Sequence, residues 1–262
     1  MPFLATPYTQ YLYYDYFPCD ITTDIPSTLP IPTILPLHGF LGTAETDFAA
    51  QLSRLRAQFN VIAPELHGFG RSSHRTTYMP AYYREDVEDM VALLDELKVS
   101  NVLVLAFSDG AIVALLLAAL YPQRVAALAT LGAQATLDGK DVAALRHWLL
   151  ERPFSEEWRA QLTQLHGEPY WRTLPALYIE VQEELLARGG VLISDEELAA
   201  IRCPTLIMHG TRDRIVPVTY AHAIHRRIAG SQLLLFDAGH AAHLHCEEEY
   251  SNAVIAFFAR KS

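Results

Sequence analysis

Cysteine is scarce in this 262-residue chain: three residues, Cys19, Cys203 and Cys246, odd in number and far apart. Such a set cannot form the paired framework of a small secreted domain, and it fits a reducing compartment, so a cytoplasmic location is expected. Basic residues are also few. Twenty Lys and Arg stand against 30 Asp and Glu, a formal net charge of −10, which disfavours nucleic acid and anionic membrane as partners. No apolar run reaches the roughly 18 residues that a spanning helix needs. The segment Met1 to Pro7 has no basic block followed by an apolar one, so a secretory signal is not expected. Internal repeats and low-complexity tracts are absent as well. The remaining composition, 51% hydrophobic and 19% charged, is that of a folded globular chain. Its length suits one large α/β domain, or a domain with an insertion.

Strand and helix patterns alternate over the first half. Tyr8 to Phe17 reads as an early edge strand, followed by a Pro-punctuated connection from Pro18 to Pro32. Thr33 to Leu37 reads as a strand, Ala44 to Gln58 as a helix and Phe59 to Ala63 as a strand. Pro80 to Leu97 reads as a helix with Pro in its first turn. Asn101 to Leu105 is the apolar, β-branched run of a strand buried on both faces, Ala111 to Tyr121 a buried helix, and Val125 to Leu131 another strand. This alternation predicts a parallel sheet covered on both faces. From Ala133 to Ile201 the runs become helical: Val142 to Leu150, Ser155 to Leu165, Pro175 to Ala187, and Ser194 to Ile201 with a Ser194/Glu197 capping box. Strands return at Thr205 to Met208 and Gln232 to Phe236 around a helix from Val218 to Ile228, and a helix from Cys246 to Arg260 closes the chain. The expected organisation is a core of residues 1–132 and 202–262, with residues 133–201 as a helical cap over the C-terminal strand ends.

Chemistry concentrates at Ala106-Phe107-Ser108-Asp109-Gly110, where a strand runs straight into a helix. A serine on so sharp a turn has its hydroxyl pushed outward, and the residues two before and two after must be small to avoid colliding. A serine hydroxyl is a poor nucleophile until a base takes its proton, and that base needs a group to fix its tautomer. Asp213 and His240 each follow a later strand, which places them at the same sheet edge as Ser108. Asp237 is a rival acid that would have to fold back tightly on His240. A zinc site built from His240, His243, His245 and Cys246 is a rival use of the histidines, although no metal is expected. His38 and His67, beside glycines in tight turns, are expected to bond loop backbone. Trp148, Trp158, Trp171, Tyr170 and Tyr178 read mainly as core of the insertion, with one or two lining a pocket.

These motifs resemble the α/β-hydrolase fold family over nearly the whole chain. The elbow Ala106 to Gly110, the oxyanion loop His38-Gly39-Phe40-Leu41-Gly42, the acid loop Gly210 to Asp213, the histidine loop Gly239-His240 and the turn Pro64 to Ser72 follow the family's order. Ala106 and Ala111 stand where the family often has Gly, and Glu65 where Asp is usual. The resemblance implies Ser108 as nucleophile, His240 as base and Asp213 as its orienting acid. It implies an oxyanion hole from the N–H groups of Phe40 and Asp109. It further implies a cofactor-free hydrolase of a small ester, lactone or thioester, whose partner is a small-molecule substrate. The same constellation serves C–C bond hydrolases, perhydrolases or haloperoxidase-like enzymes, and some non-catalytic receptors. The Ser-Asp-Gly elbow is similar to that of valacyclovir-hydrolase-like esterases, so Asp109 is expected to contact substrate and favour a cationic group. Oligomeric state has no signature in the sequence.

Overall fold

The computed structural model describes residues 2–20 and 31–260; residues 21–30 of the expected connection from Pro18 to Pro32 lie outside the described residues. Strands β1 (Phe3–Leu4), β2 (Leu12–Phe17), β3 (Thr33–Leu37), β4 (Asn60–Glu65), β5 (Val102–Phe107), β6 (Val125–Leu131), β7 (Thr205–Gly210) and β8 (Gln232–Phe236) form one sheet. Its order is β1-β2-β4-β3-β5-β6-β7-β8, antiparallel over the first three strands and parallel beyond. The expected first strand is shorter than Tyr8 to Phe17 because the Thr6 N–H and hydroxyl both bond to the Thr9 carbonyl and turn the chain. Strand β4 runs on to Glu65 because β2 continues to pair with it at Pro64 and Glu65.

Helices cover both faces, as the β5 sequence requires. Val102, Val104 and Ala106 enter one core cluster with α2 (Tyr82–Glu96), α3 (Asp109–Leu120) and α8 (Thr219–Arg227). Leu103 and Leu105 enter the opposite cluster with α1 (Ala44–Leu55) and α9 (Glu247–Ala259). Pro80 lies in the turn before α2 rather than in its first turn, since the helix begins at Tyr82.

Between β6 and β7 the chain is helical: α4 (Gly139–Arg146), α5 (Glu156–His166), α6 (Tyr170–Ala187) and α7 (Asp195–Ala200). Helix α4 starts earlier than expected because the Asp138 carboxylate caps the Lys140 and Asp141 N–H groups. It then widens into a π turn over His147–Glu151, which aims Trp148 and Leu149 at the site described below. Helix α6 begins five residues before the expected start, with Pro175 inside it. Burial of Trp171 and Leu174, and the bond from Trp171 Nε1 to Thr163 Oγ1 at 2.9 Å, hold the extra turn against the lost backbone bond. The capping box of Ser194 and Glu197 on α7 is formed as expected. The loops that follow β3, β5, β7 and β8 converge at one edge of the sheet, below the helical insertion.

At the β5–α3 junction a side chain on Gly110 would place its Cβ 2.3 Å from the Leu37 carbonyl oxygen and 2.5 Å from that of His38. Backbone cannot move aside there as a flexible side chain can. Gly110→Ala is therefore expected to destabilise the fold by about 3 kcal/mol or more. Gly139→Ala, at a position with nothing within 4 Å, should be near neutral. Urea unfolding of the two variants checks the contrast.

Candidate active site

Ser108 occupies the turn between β5 and α3 with φ +52° and ψ −120°. For a residue with a side chain this conformation costs on the order of 1–3 kcal/mol and persists only where the surroundings impose it. The Ser108 N–H is bonded to the Leu131 carbonyl at 2.9 Å, while the Ser108 carbonyl accepts the Ala111 N–H at 2.9 Å. The hydroxyl projects from the turn to a ring on the loop after β8: Ser108 Oγ lies 3.0 Å from His240 Nε2. On the other side of that ring, Nδ1 lies 2.6 Å from Asp213 Oδ2. This arrangement fixes the tautomer, because Nδ1–H donates to the carboxylate and Nε2 is left to accept the hydroxyl proton. Gly132, at φ +68°, permits the approach: a Cβ there would come 2.9 Å from His240 Cε1.

The Asp213 side chain is buried, and burial alone would raise its pKa. The opposing hydrogen bonds prevail, from His209 and His240 and from the Ile215 and Val216 N–H groups to Oδ1 at 2.8 and 2.9 Å. Together they hold the carboxyl well below the usual carboxylate range. His209 was not singled out in the sequence, although it precedes Asp213 by four residues. Its Nε2 lies 3.3 Å from Asp213 Oδ2 and 2.8 Å from the Val216 carbonyl. The rival acid Asp237 points to solvent and pairs with Arg212 at 2.9 Å.

The histidines proposed as a zinc set do not gather with Cys246. His243 is buried against Phe107 and Tyr250, with ring centroids 4.4 and 5.8 Å away, and burial pushes its pKa down to about 3. Among the described residues, the group whose ligand atoms do come together is His67, Asp86 and Asp89. Asp86 there is paired with Arg75, and Asp89 accepts from Thr9 and Tyr8.

The loop His38 to Gly42 lies directly behind the serine, with a Cβ on Gly39 only 3.1 Å from that of Ser108. His38 bonds loop backbone on both sides, its Nδ1–H donating to the Gly39 carbonyl at 2.8 Å and its Nε2 accepting the Leu66 N–H at 2.9 Å. Burial lowers its pKa to about 4, which keeps the ring neutral. Gly39 N–H donates to Asp47 Oδ2 at 2.8 Å, and Gly42 N–H bonds back to the Gly39 carbonyl at 3.1 Å. Burial raises the Asp47 carboxyl to about 7. Phe40 N–H lies between these tied amides, and Asp109 N–H is the first of α3, outside that helix's internal bonding. Nearby, Glu65 pairs with Arg71 at 2.6 Å.

Above Ser108 lies a cavity of about 190 Å³. Phe40, Leu41, Phe107 and Ile215 line it from the core side, with Ser108 and His240 at its floor. The insertion supplies Leu145, Trp148, Leu149, Trp158 and Tyr178. Trp171 is buried elsewhere in the insertion, and Tyr170 Oη bonds the Gly68 carbonyl at 2.9 Å. A larger hollow of about 430 Å³ beside Arg56 and Arg71 does not reach Ser108.

A family model described as the alpha/beta hydrolase family matches residues 37–253. The chain belongs to the alpha/beta hydrolase family. Human serine hydrolase BPHL is 33% identical over 221 residues, covering 83% of this chain and 76% of the human protein. The crystal structure of a hydrolase from Pseudomonas aeruginosa PA01 superposes with a TM-score of 0.72 at 25% identity, covering 98% and 97% of the two chains. A meta-cleavage product hydrolase from Pseudomonas fluorescens IP01 shares the fold, with a TM-score of 0.73 at 21% identity over 96% and 95%.

In this alpha/beta hydrolase Asp109 is placed differently from the sequence expectation of a side chain at the pocket. Its carboxylate is buried, and Oδ1 accepts the hydroxyls of Tyr83 at 3.0 Å and Tyr178 at 2.7 Å. Tyr178 is common to both places, lining the cavity and donating to Asp109. No sequence signal linked these tyrosines to the elbow, because α2 and α6 meet α3 only in three dimensions. Burial raises the Asp109 pKa to about 6, against the lowering effect of the tyrosine bonds. A raised acid stabilises the fold while protonated. This contribution is complete below about pH 4 and is lost as pH rises through about 6. Asp109→Asn removes the dependence, so between pH 4 and 8 its stability relative to wild type should improve by on the order of 2 kcal/mol. Chemical denaturation at the two pH values measures the change.

Proposed function

We propose that this hydrolase cleaves a small carboxylic ester, lactone or thioester through an acyl-enzyme on Ser108, without a cofactor. The observation that carries the reading is the Asp213–His240–Ser108 hydrogen-bond chain opening into a small, largely apolar cavity. His240 Nε2 takes the hydroxyl proton as Oγ attacks the carbonyl carbon, and Asp213 stabilises the resulting imidazolium. The carbonyl oxygen becomes an oxyanion facing the Phe40 and Asp109 N–H groups, each donor of this kind being worth about 3 kcal/mol in the transition state. His240 then returns the proton to the leaving group, and water releases the acyl group by the same steps in reverse order.

The insertion acts in this reading as a cap that excludes water and sets acyl size. Trp148, Trp158 and Tyr178 favour an apolar or aromatic substrate portion. The three cysteines, all unpaired, fit a cytoplasmic setting, and no helix among the described residues is long and apolar enough to cross a membrane. Similarity to human serine hydrolase BPHL supports the reading. C–C bond cleavage is the competing reaction, since the meta-cleavage product hydrolase shares the fold.

A fluorophosphonate probe should label wild type at Ser108 and leave Ser108→Ala unlabelled; an unlabelled wild type contradicts the proposal. Asp213→Asn should lower kcat by roughly 10³–10⁴ with little change in KM, because it leaves His240 in the wrong tautomer.

Asp109 adds a charge preference. Its carboxylate is held by hydroxyls rather than by an ion pair, so its charge favours a cationic group in the adjoining cavity over an anionic one. A trimethylammonium ester, whose charge does not titrate, should be preferred over its tert-butyl isostere by kcat/KM at pH 8. The preference should shrink as pH falls through about 6 and Asp109 is protonated. A ratio near one at every pH removes Asp109 from specificity.

A further inference from the structure

The oxyanion loop contains a conformation it does not hold unaided. Leu41 sits at φ +64°, in the left-handed region that disfavours residues with a side chain. The Phe40 N–H belongs to the same peptide plane as the Gly39 carbonyl. His38, by drawing that carbonyl one way, turns the Phe40 N–H the other. The far side of Phe40 is held by a residue from outside the core. His166, the last residue of α5, is buried, and its Nε2 lies 3.0 Å from the Leu41 carbonyl oxygen. Its Nδ1 accepts the Gly70 N–H at 2.8 Å. Because Nδ1 accepts, Nε2 must carry the proton and donate to Leu41. Phe69 packs edge-on against both His166 and Phe40, with centroids 5.9 and 5.6 Å away. Burial lowers the His166 pKa, which keeps the ring neutral and the tautomer fixed.

One imidazole thus joins three segments: the helical insertion, the oxyanion loop and the turn after β4. We propose that His166 is a positioning residue through which the insertion sets the oxyanion hole, fixing the Leu41 carbonyl so that Phe40 N–H points at the reacting oxygen. This rests on the acyl-enzyme reading above. It makes docking of α5 a condition for transition-state binding as well as for closing the cavity. Without the His166 bond Leu41 can relax towards negative φ, which draws the Gly42 N–H off the Gly39 carbonyl and loosens the Gly39–Phe40 peptide that carries the Phe40 N–H. Such a loss falls on the oxyanion and spares ground-state binding.

Two amide replacements separate the contacts. His166→Gln presents an acceptor and a donor about as far apart as the two ring nitrogens. His166→Asn keeps an acceptor for Gly70 but is too short to reach Leu41. The readout is affinity for a trifluoromethyl ketone, which forms a tetrahedral oxyanion on the serine, relative to the matching methyl ketone. His166→Asn is expected to lower that ratio and kcat together by about 30-fold, less than the roughly 10²–10³ for outright loss of an oxyanion donor, with KM nearly unchanged. His166→Gln should recover most of both. His166→Phe, which keeps ring volume without either bond, serves as a second test if the Asn variant does not fold. A folded Asn or Phe variant with the wild-type ratio overturns the role of His166 and leaves the hydrolase reading standing. A wild type that binds the fluorinated ketone no better than the methyl ketone overturns both.

Discussion

Everything at this site depends on a backbone contact, the packing of the first turn of α3 against the end of β3. Gly110 passes so close to the Leu37 and His38 carbonyls that no Cβ fits between them. That approach keeps Ser108 at positive φ and its hydroxyl clear of the helix. It also sets the start of α3 beside the loop His38 to Gly42, so the Ser108 hydroxyl and the N–H groups proposed to bind the oxyanion share one origin. The all-apolar helix behind, from Ala111 to Ala118, anchors the turn by burying nearly every side chain. A strain of a few kcal/mol at Ser108 is small against that burial.

Buried histidines form a second layer of control. His38, His166 and His209 each bond backbone around Ser108, His240 and Asp213. Their rings act as rigid two-ended linkers. Burial keeps His38 and His166 neutral, which fixes which nitrogen donates and which accepts. His240 differs in being partly exposed at the cavity floor and in facing a carboxylate stabilised as an anion. One residue type thus serves as a linker and, in the proposed reaction, as a base, according to solvent contact and partner.

How much of this could be read from the residues follows from what each feature depends on. The strand–turn–helix around Ser108, the covering of both sheet faces and the approximate element boundaries are local patterns of hydrophobicity and turn chemistry. They survive folding almost unchanged. The chain order of Ser108, Asp213 and His240 was legible because each follows a strand, and parallel strands bring such loops to one edge. Contacts across the insertion were not legible. His166 carries no motif, and its partners Leu41 and Gly70 are about a hundred residues away or more. Tyr83 and Tyr178 reach Asp109 from separate helices, so the environment of that carboxylate had no local trace. Pro175 misled for a related reason, since local propensity argues for a helix start where buried neighbours impose a helix interior.

Acylation of Ser108 during turnover is the step on which the proposed reaction rests. Acid-quenched samples from the first turnovers of an activated ester, digested and mapped by mass spectrometry, test it most directly. An acyl adduct on the peptide bearing Ser108, appearing with the burst of released alcohol and decaying as substrate is exhausted, is the predicted result. Steady turnover with Ser108 unmodified throughout would contradict it.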